Sequence, residues 1–204
     1  TASNTRGMVG TTWAGSMPHT GGSCHNCGTH NFVGFQGVTE MYARWYYYTD
    51  SGFVWGPHKF ITINNGVPDD GGIDFGNIQF NCGNDTPGLT TAGMSWQILG
   101  TGPGEQNACL GQNISDITLQ SGHIYFFEIR LKLNTAGVSN GIIEWWVNDC
   151  GTNFASPSCG ATPTLRMSYI NIRFPSSFPA SITTFYVDEW VGGPGSFGNS
   201  FLDQ

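Results

Sequence analysis

Four groups of residues have the types and spacing to do chemistry. In EMYARWYYYTD, residues 40 to 50, two-residue alternation puts Tyr42, Arg44, Tyr46 and Tyr48 on one side of a strand and Ala43, Trp45 and Tyr47 on the other. Lys59 follows in HKFITI, and the same alternation collects Glu128 and Arg130 from HIYFFEIRLKLN and Glu144, Trp146 and Asn148 from GIIEWWVND. Flat Tyr and Trp rings suit the apolar faces of pyranose sugars, and Arg, Glu and Asn supply the hydrogen bonds that orient a ring. The plain alternative is that the tyrosines are ordinary strand residues and the arginines pair with nearby acids.

Glu128 and Glu144 form the second group, because two carboxylates facing a glycosidic bond are the equipment of a hydrolase. Register argues against that use. A hairpin centred near Gly137 puts Glu144 opposite Arg130 and Glu128 opposite Trp146, which predicts a cross-strand ion pair between Glu144 and Arg130. The third group is HTGGSCHNCGTH, where His19, Cys24, Cys27 and His30, with His25 as an extra donor, have spacing compatible with a tetrahedral zinc or copper site. The competing expectation is an oxidised Cys24–Cys27 pair, since a metal would need free thiols, and no metal is assigned to these residues. Asp69, Asp70 and Asp74 lie in a Gly-rich stretch that offers oxygen ligands to Ca²⁺, against the simpler reading of a solvated turn. No other cofactor is expected.

The elements that must position these groups are all strands. HKFITI and IDFGNIQF flank a turn-rich segment, and Met94–Leu99 reads as a short strand before a Gly-rich loop. The strongest hairpin is His123–Asn134 with Gly141–Asp149, and Thr164–Phe174 and Ile182–Gly193 are also strand-like. No amphipathic helical pattern of useful length occurs, so two packed antiparallel sheets are the natural layer solution. Residues 1–37, rich in Gly, Ser, Thr and Asn, read as an irregular N-terminal arm or loops with room for a short strand near Asn31–Phe35, and 38–204 as the sandwich domain.

Composition limits the function classes. The chain has 204 residues, 39% hydrophobic and 10% charged, a balance that folds into one sizeable core. Fourteen acidic residues against seven Lys and Arg give a net charge of −7, too few cations to neutralise nucleic-acid phosphates. No apolar run reaches the roughly 20 residues that cross a bilayer, so no membrane partner is expected. Six cysteines fit disulfides in an oxidising compartment, with Cys150–Cys159 the pairing most favoured by proximity and Cys82–Cys109 and Cys24–Cys27 left over, although sequence leaves the connectivity open. Asn84 and Asn113 head glycosylation sequons that chance also explains in so Asn-, Ser- and Thr-rich a chain. The start at Thr1, without Met or a basic-then-apolar leader, fits a mature secreted or cell-surface chain, and an arbitrary boundary would look the same.

FFEIRLKLN followed by GIIEWWVND and FYVDEWVGGP resembles the hairpin and last strand of the concanavalin A-like lectin/glucanase superfamily, in its polysaccharide-lyase-like jelly-roll branch. YARWYYYTD with the downstream HKF also looks like a strand of that family and the lysine after it. The resemblance spans roughly residues 40 to 193 and rests mostly on core patterning. It implies an all-β jelly-roll sandwich of two antiparallel sheets whose polar face binds a polysaccharide or other glycan, and it aligns Asp188 and Glu189 with the acidic pair of the family's last strand. For an acidic glycan cleaved by β-elimination, Arg44 and Lys59 would neutralise the uronate carboxylate and Tyr46 or Tyr48 would handle the proton. Tyr42, Glu128, Arg130, Glu144, Trp146 and Asn148 would complete the binding face. The alginate-lyase strands Arg-Ser-Glu-Leu-Arg and Gln-Ile-His, and the glucanase Glu-x-Asp-x-x-Glu, are missing. Three functions follow: a polysaccharide lyase, a glycan-binding module without catalysis, and a self-associating cell-surface or filament subunit whose N-terminal segment is exchanged between copies.

Overall fold

The computed structural model describes the backbone of residues 2–3, 14–20, 30–54, 58–64, 78–79, 91–92, 96–99, 107–110, 119–174, 181–191 and 197–203, with side chains in 36–54, 119–174 and 181–183. All of the regular structure is β. In chain order the strands are β1 (Ala2–Ser3), β2 (Ala14–Thr20), β3 (His30–Val38), β4 (Glu40–Thr49), β5 (His58–Asn64), β6 (Ile78–Gln79), β7 (Thr91–Ala92) and β8 (Trp96–Leu99). They continue as β9 (Asn107–Leu110), β10 (Leu119–Gln120), β11 (Ile124–Lys132), β12 (Gly141–Asp149), β13 (Leu165–Ile172), β14 (Ile182–Val191) and β15 (Phe197–Asp203).

Among the described residues these strands form a jelly-roll sandwich of two antiparallel sheets. The larger sheet has the order β1-β2-β15-β4-β11-β12-β13 and the smaller β3-β14-β5-β6, with the ribbons β7–β10 and β8–β9 beside them. The alternation of β4, β11 and β12 decides what lies between the sheets. Met41, Trp45 and Tyr47 of β4, Tyr125, Phe127, Ile129 and Leu131 of β11, and Ile143, Trp145 and Val147 of β12 are all buried in one cluster with Ile182 of β14. Trp45 stacks on Phe127 at 5.4 Å between ring centroids, and Trp145 meets Phe127 edge-on at 5.7 Å. Such pairs add about 0.5–1.5 kcal/mol each beyond the area they bury.

The β11–β12 hairpin has the register its turn foretells: Arg130 faces Glu144 and Glu128 faces Trp146. Gly137, at φ +76, takes the left-handed conformation in the connection, and Asn140 closes it by accepting the Thr135 N–H at 2.7 Å. Gly141 opens β12 against Phe174 and the Ile172 carbonyl, so close that a Cβ there would stand 2.7 Å from the Phe174 ring and 2.9 Å from the Ile172 oxygen.

Strands occupy more of the chain than pattern alone foretells. Within residues 1–37, read as an irregular arm, Ala14–Thr20 pairs with β15 inside the larger sheet and His30–Val38 pairs with β14 in the smaller one. The short strand expected near Asn31–Phe35 is thus longer. AGSMPHT lacks the β-branched alternation of a half-buried strand, and its place comes from a neighbour's free backbone groups instead. Asn107–Leu110, inside the stretch expected to be a Gly-rich loop, pairs with β8 for the same reason.

Candidate functional site

Side chains on the other face of β4, β11, β12 and β13 point away from the sandwich core and fall into rows set by register. Tyr46, Phe126 and Asn148 form one row; Arg44, Glu128, Trp146 and Leu165 the next; then Tyr42, Arg130, Glu144 and Ser168; then Glu40, Lys132, Ile142 and Ile170. Nine of the sequence-derived candidates, Tyr42, Arg44, Tyr46, Tyr48, Glu128, Arg130, Glu144, Trp146 and Asn148, therefore share one sheet face. Lys59 does not share it. Its strand, β5, belongs to the smaller sheet, where Lys59 stands opposite Trp190 and Gln79, whereas Arg44 and Tyr46 stand on the larger sheet.

Ion pairs organise the middle rows. Arg44 Nε donates to Glu128 Oε2 at 2.7 Å. Arg130 lies between two carboxylates, with Nε donating to Glu40 Oε1 at 2.8 Å and Nη1 to Glu144 Oε2 at 2.9 Å. Those hydrogen bonds push the guanidinium pKa further up, so the cation is permanent. Ser168 donates its hydroxyl to the second Glu144 oxygen at 3.1 Å. With Glu128 and Glu144 both engaged by arginines, the cross-strand ion-pair reading describes these acids, and neither is set apart as a hydrolase's free acid.

Not every candidate is available to a ligand. Tyr48 has the expected facing but is 2% exposed: Phe154, from the loop after β12, covers it with ring centroids 4.5 Å apart, and Ile124 and Cys150 enclose it. Alternation fixed its side of the sheet but said nothing of a loop folded over it. Asn148, 9% exposed, is also taken up structurally. Its Nδ2 donates to the Cys159 carbonyl at 2.6 Å and the Thr162 carbonyl at 3.1 Å, while its Oδ1 accepts the Thr164 N–H at 2.9 Å. Asn148 therefore staples the β12–β13 connection to the sheet, and the expected Cys150–Cys159 disulfide closes the same loop.

The staple builds a cleft. Arg44, Tyr46, Phe126 and Asn148 form its sheet side and Cys159, Gly160, Ala161 and Pro163 its loop side, around a volume of about 300 Å³. The Tyr46 ring packs edge-on against Phe126 at 5.2 Å. The Arg44 side chain is 68% exposed and, among the described residues, its terminal nitrogens and the Tyr46 hydroxyl have no hydrogen-bond partner. A planar cation held along one edge, next to a phenol, can take a carboxylate through its open edge while the phenol exchanges a proton. Phe126 and residues 159–163 were not among the sequence candidates. Phe126 shares the alternation of Glu128 and Arg130, and the closeness of Cys150 to Cys159 was the signal that a loop would fold beside Asn148.

No group of three or more metal-ligating side chains lies together among the described residues. Cys24, Cys27, the side chains of His19 and His30, Asp69, Asp70 and Asp74, and the Cys82–Cys109 pairing lie outside the described side chains, as do the sequons at Asn84 and Asn113.

No protein-family model matches the chain, and no curated protein matches it in sequence. Solved structures do match in fold. A double mutant of the alginate lyase Aly36B in complex with alginate tetrasaccharide superposes with a TM-score of 0.57 at 12% identity, over 94% of this chain and 78% of that one. The marine PL-14 alginate lyase from Aplysia kurodai gives 0.57 at 11% identity, over 95% and 81%. The endo-β-1,4-glucuronan lyase from the fungus Trichoderma reesei gives 0.54 at 11%, over 95% and 79%. The chain is thus similar, along nearly its whole length, to the jelly-roll folds of several polysaccharide lyases.

Proposed function

We propose that this chain is a secreted protein that binds an acidic polysaccharide in the Arg44–Tyr46 cleft and cleaves it by β-elimination. Arg44 holds the uronate carboxylate and lowers the cost of the charge that builds when the neighbouring carbon loses its proton. That electron pair becomes a carbon–carbon double bond as the bond to the glycosidic oxygen breaks, and the departing oxygen leaves with a proton. Tyr46 balances the two transfers: its oxygen takes the proton from the carbon as its own hydroxyl proton passes to the departing oxygen. The observation that carries the reading is an exposed guanidinium, anchored among the described residues by Glu128 along one edge, sharing a walled cleft with a phenol. The fold likeness to alginate and glucuronan lyases supports it.

The test is ultraviolet absorbance of unsaturated uronate products, screened across alginate, glucuronan and pectin. Product formation that falls at least tenfold in Arg44→Ala and in Tyr46→Phe supports the mechanism. Silence on all three polymers, together with retention of one of them in affinity electrophoresis, replaces the lyase with a glycan-binding module. Silence with no retention removes the glycan reading.

A further inference from the structure

The face that holds the cleft continues well beyond it. Tyr42 lies four residues from Tyr46 along β4, and Lys132 stands opposite Glu40 on β11, two residues further in the same direction. At roughly 3.4 Å per residue, the row of Lys132 is about 14 Å from the row of Arg44, with the row of Tyr42 about midway. Tyr42 is 58% exposed, the most open aromatic ring on the described part of this face. Its ring is held in place, with the Arg130 guanidinium 5.8 Å from the ring centroid and the hydroxyl 3.5 Å from Glu40 Oε1.

Charge along the strip is uneven in a way that selects its occupant. Glu128 takes one edge of Arg44, and Glu40 and Glu144 both engage Arg130, so the middle carries no spare positive charge. The ammonium of half-buried Lys132 makes no hydrogen bond or ion pair with the described residues. Among the described residues of this face, the cationic donors left unused are therefore the open edge of Arg44 and Lys132, one at each end of the strip, with a fixed aromatic ring and a floor of two carboxylates around one guanidinium between.

Resting on the cleft reading above, we infer that the strip from Tyr46 to Lys132 is an extended glycan track. In it a uronate carboxylate bound at Arg44 and a second one bound at Lys132 bracket a sugar stacked on Tyr42. That middle sugar meets the protein through its ring face, because Glu40 and Glu144 would repel a carboxylate there. The preferred ligand is an oligouronide longer than a disaccharide, lying along β4 and β11.

Titration calorimetry with size-defined oligouronides, from disaccharide to hexasaccharide, tests this on the full chain and on Arg44→Ala, Tyr42→Ala and Lys132→Ala. Unfolding midpoints serve as the check on folding. The expected result is a rise in wild-type affinity with length that levels off once the track is filled. Tyr42→Ala should weaken the longer ligands by roughly three- to tenfold and Lys132→Ala by about two- to fivefold, the latter fading in high salt. Both losses should vanish with the disaccharide, whereas the Arg44→Ala loss should persist at every length. If Arg44→Ala weakens binding while the Tyr42 and Lys132 variants match wild type at every length, the track is wrong and the cleft stands. If no variant changes binding, or no oligouronide binds, cleft and track fail together. A neutral oligosaccharide of equal length that binds as tightly as the uronide overturns the charge argument. A change of sedimenting species in Tyr42→Ala would instead assign the face to a second copy of this chain.

Discussion

Replacing Asn148 should loosen the cleft's loop wall by an amount the structure lets one calculate. Its amide makes three hydrogen bonds, to the carbonyls of Cys159 and Thr162 and from the N–H of Thr164. At about 0.5–1.5 kcal/mol net each, Asn148→Ala would cost roughly 1.5–4.5 kcal/mol. Thr162 and Thr164 are exposed, so water can satisfy their freed groups, and the expected loss lies near the lower half of that range, about 2 kcal/mol. Asn148→Asp sharpens the test. The new side chain keeps an acceptor for Thr164 N–H, but once ionised it turns an oxygen, not a donor, toward two carbonyls. That arrangement disfavours the charged form and raises the folded-state pKa of the introduced acid. Because the folded state then holds its proton more tightly than the unfolded chain, stability is highest below the unfolded value of about 3.9 and falls as pH rises through the folded value. Urea unfolding followed by tryptophan fluorescence, at a series of pH values, is the assay, and subtracting the Asn148→Ala curve removes every other titrating group. Asn148→Asp should be less stable than Asn148→Ala at neutral pH and draw level with it or overtake it on acidification. A difference curve that is flat, or that runs the other way, would refute the stapling role.

Three further outcomes are expected. Cys150→Ala/Cys159→Ala should lower stability by roughly 3 kcal/mol through the opened loop and expose Tyr48 to solvent quenching; unchanged quenching would show that Phe154 covers Tyr48 without the crosslink. Gly141→Ala should cost about 1–3 kcal/mol in urea unfolding, because its Cβ meets backbone as well as the Phe174 ring, whereas Gly52→Ala, with no atom within 4 Å of its Cβ, should cost nothing; equal effects would contradict the close approach at Gly141. Burial pushes the Tyr125 phenol well above its usual value, the Gln120 N–H pulls it partly back, and Asp149 adds to the rise. Its proton therefore stabilises the fold fully below about pH 10, a contribution lost as pH climbs past that point, so alkaline spectrophotometric titration should show at least one phenol, that of Tyr125, ionising only with unfolding. Ionisation of every tyrosine in the folded protein would count against that.

How far the sequence reveals this arrangement depends on the range of the interaction. The Arg130–Glu144 pair was legible because alternation on two strands and a single turn centre determine it completely, and all three are local. The core was legible for the same reason: Trp45, Phe127 and Trp145 sit on the expected sides of their strands. Lys59 lies on a strand of the smaller sheet, apart from the candidates it was grouped with, since nothing within HKFITI says which of two layers will accept it. Tyr48 shows the complementary limit. Its side of the sheet followed from period two, but its burial depends on Phe154, about a hundred residues later in the chain. Ala14–Thr20 and Phe197–Asp203 pair with each other without a strong pattern in either, so each is visible only through its partner.

The two sides of the cleft have different tolerances for change. One is a sheet whose other face is filled with interlocking aromatic rings, where a swap of volume is felt throughout the interior. The other is a stretch of chain tied down at its ends by Asn148 and a crosslink, with mostly exposed residues between. Residues between the two ties can lengthen, shorten or exchange without disturbing the interior. The mouth of the cleft can thus diversify over evolutionary time, or in a directed library, while Arg44 and Tyr46 stay fixed on an unchanging floor.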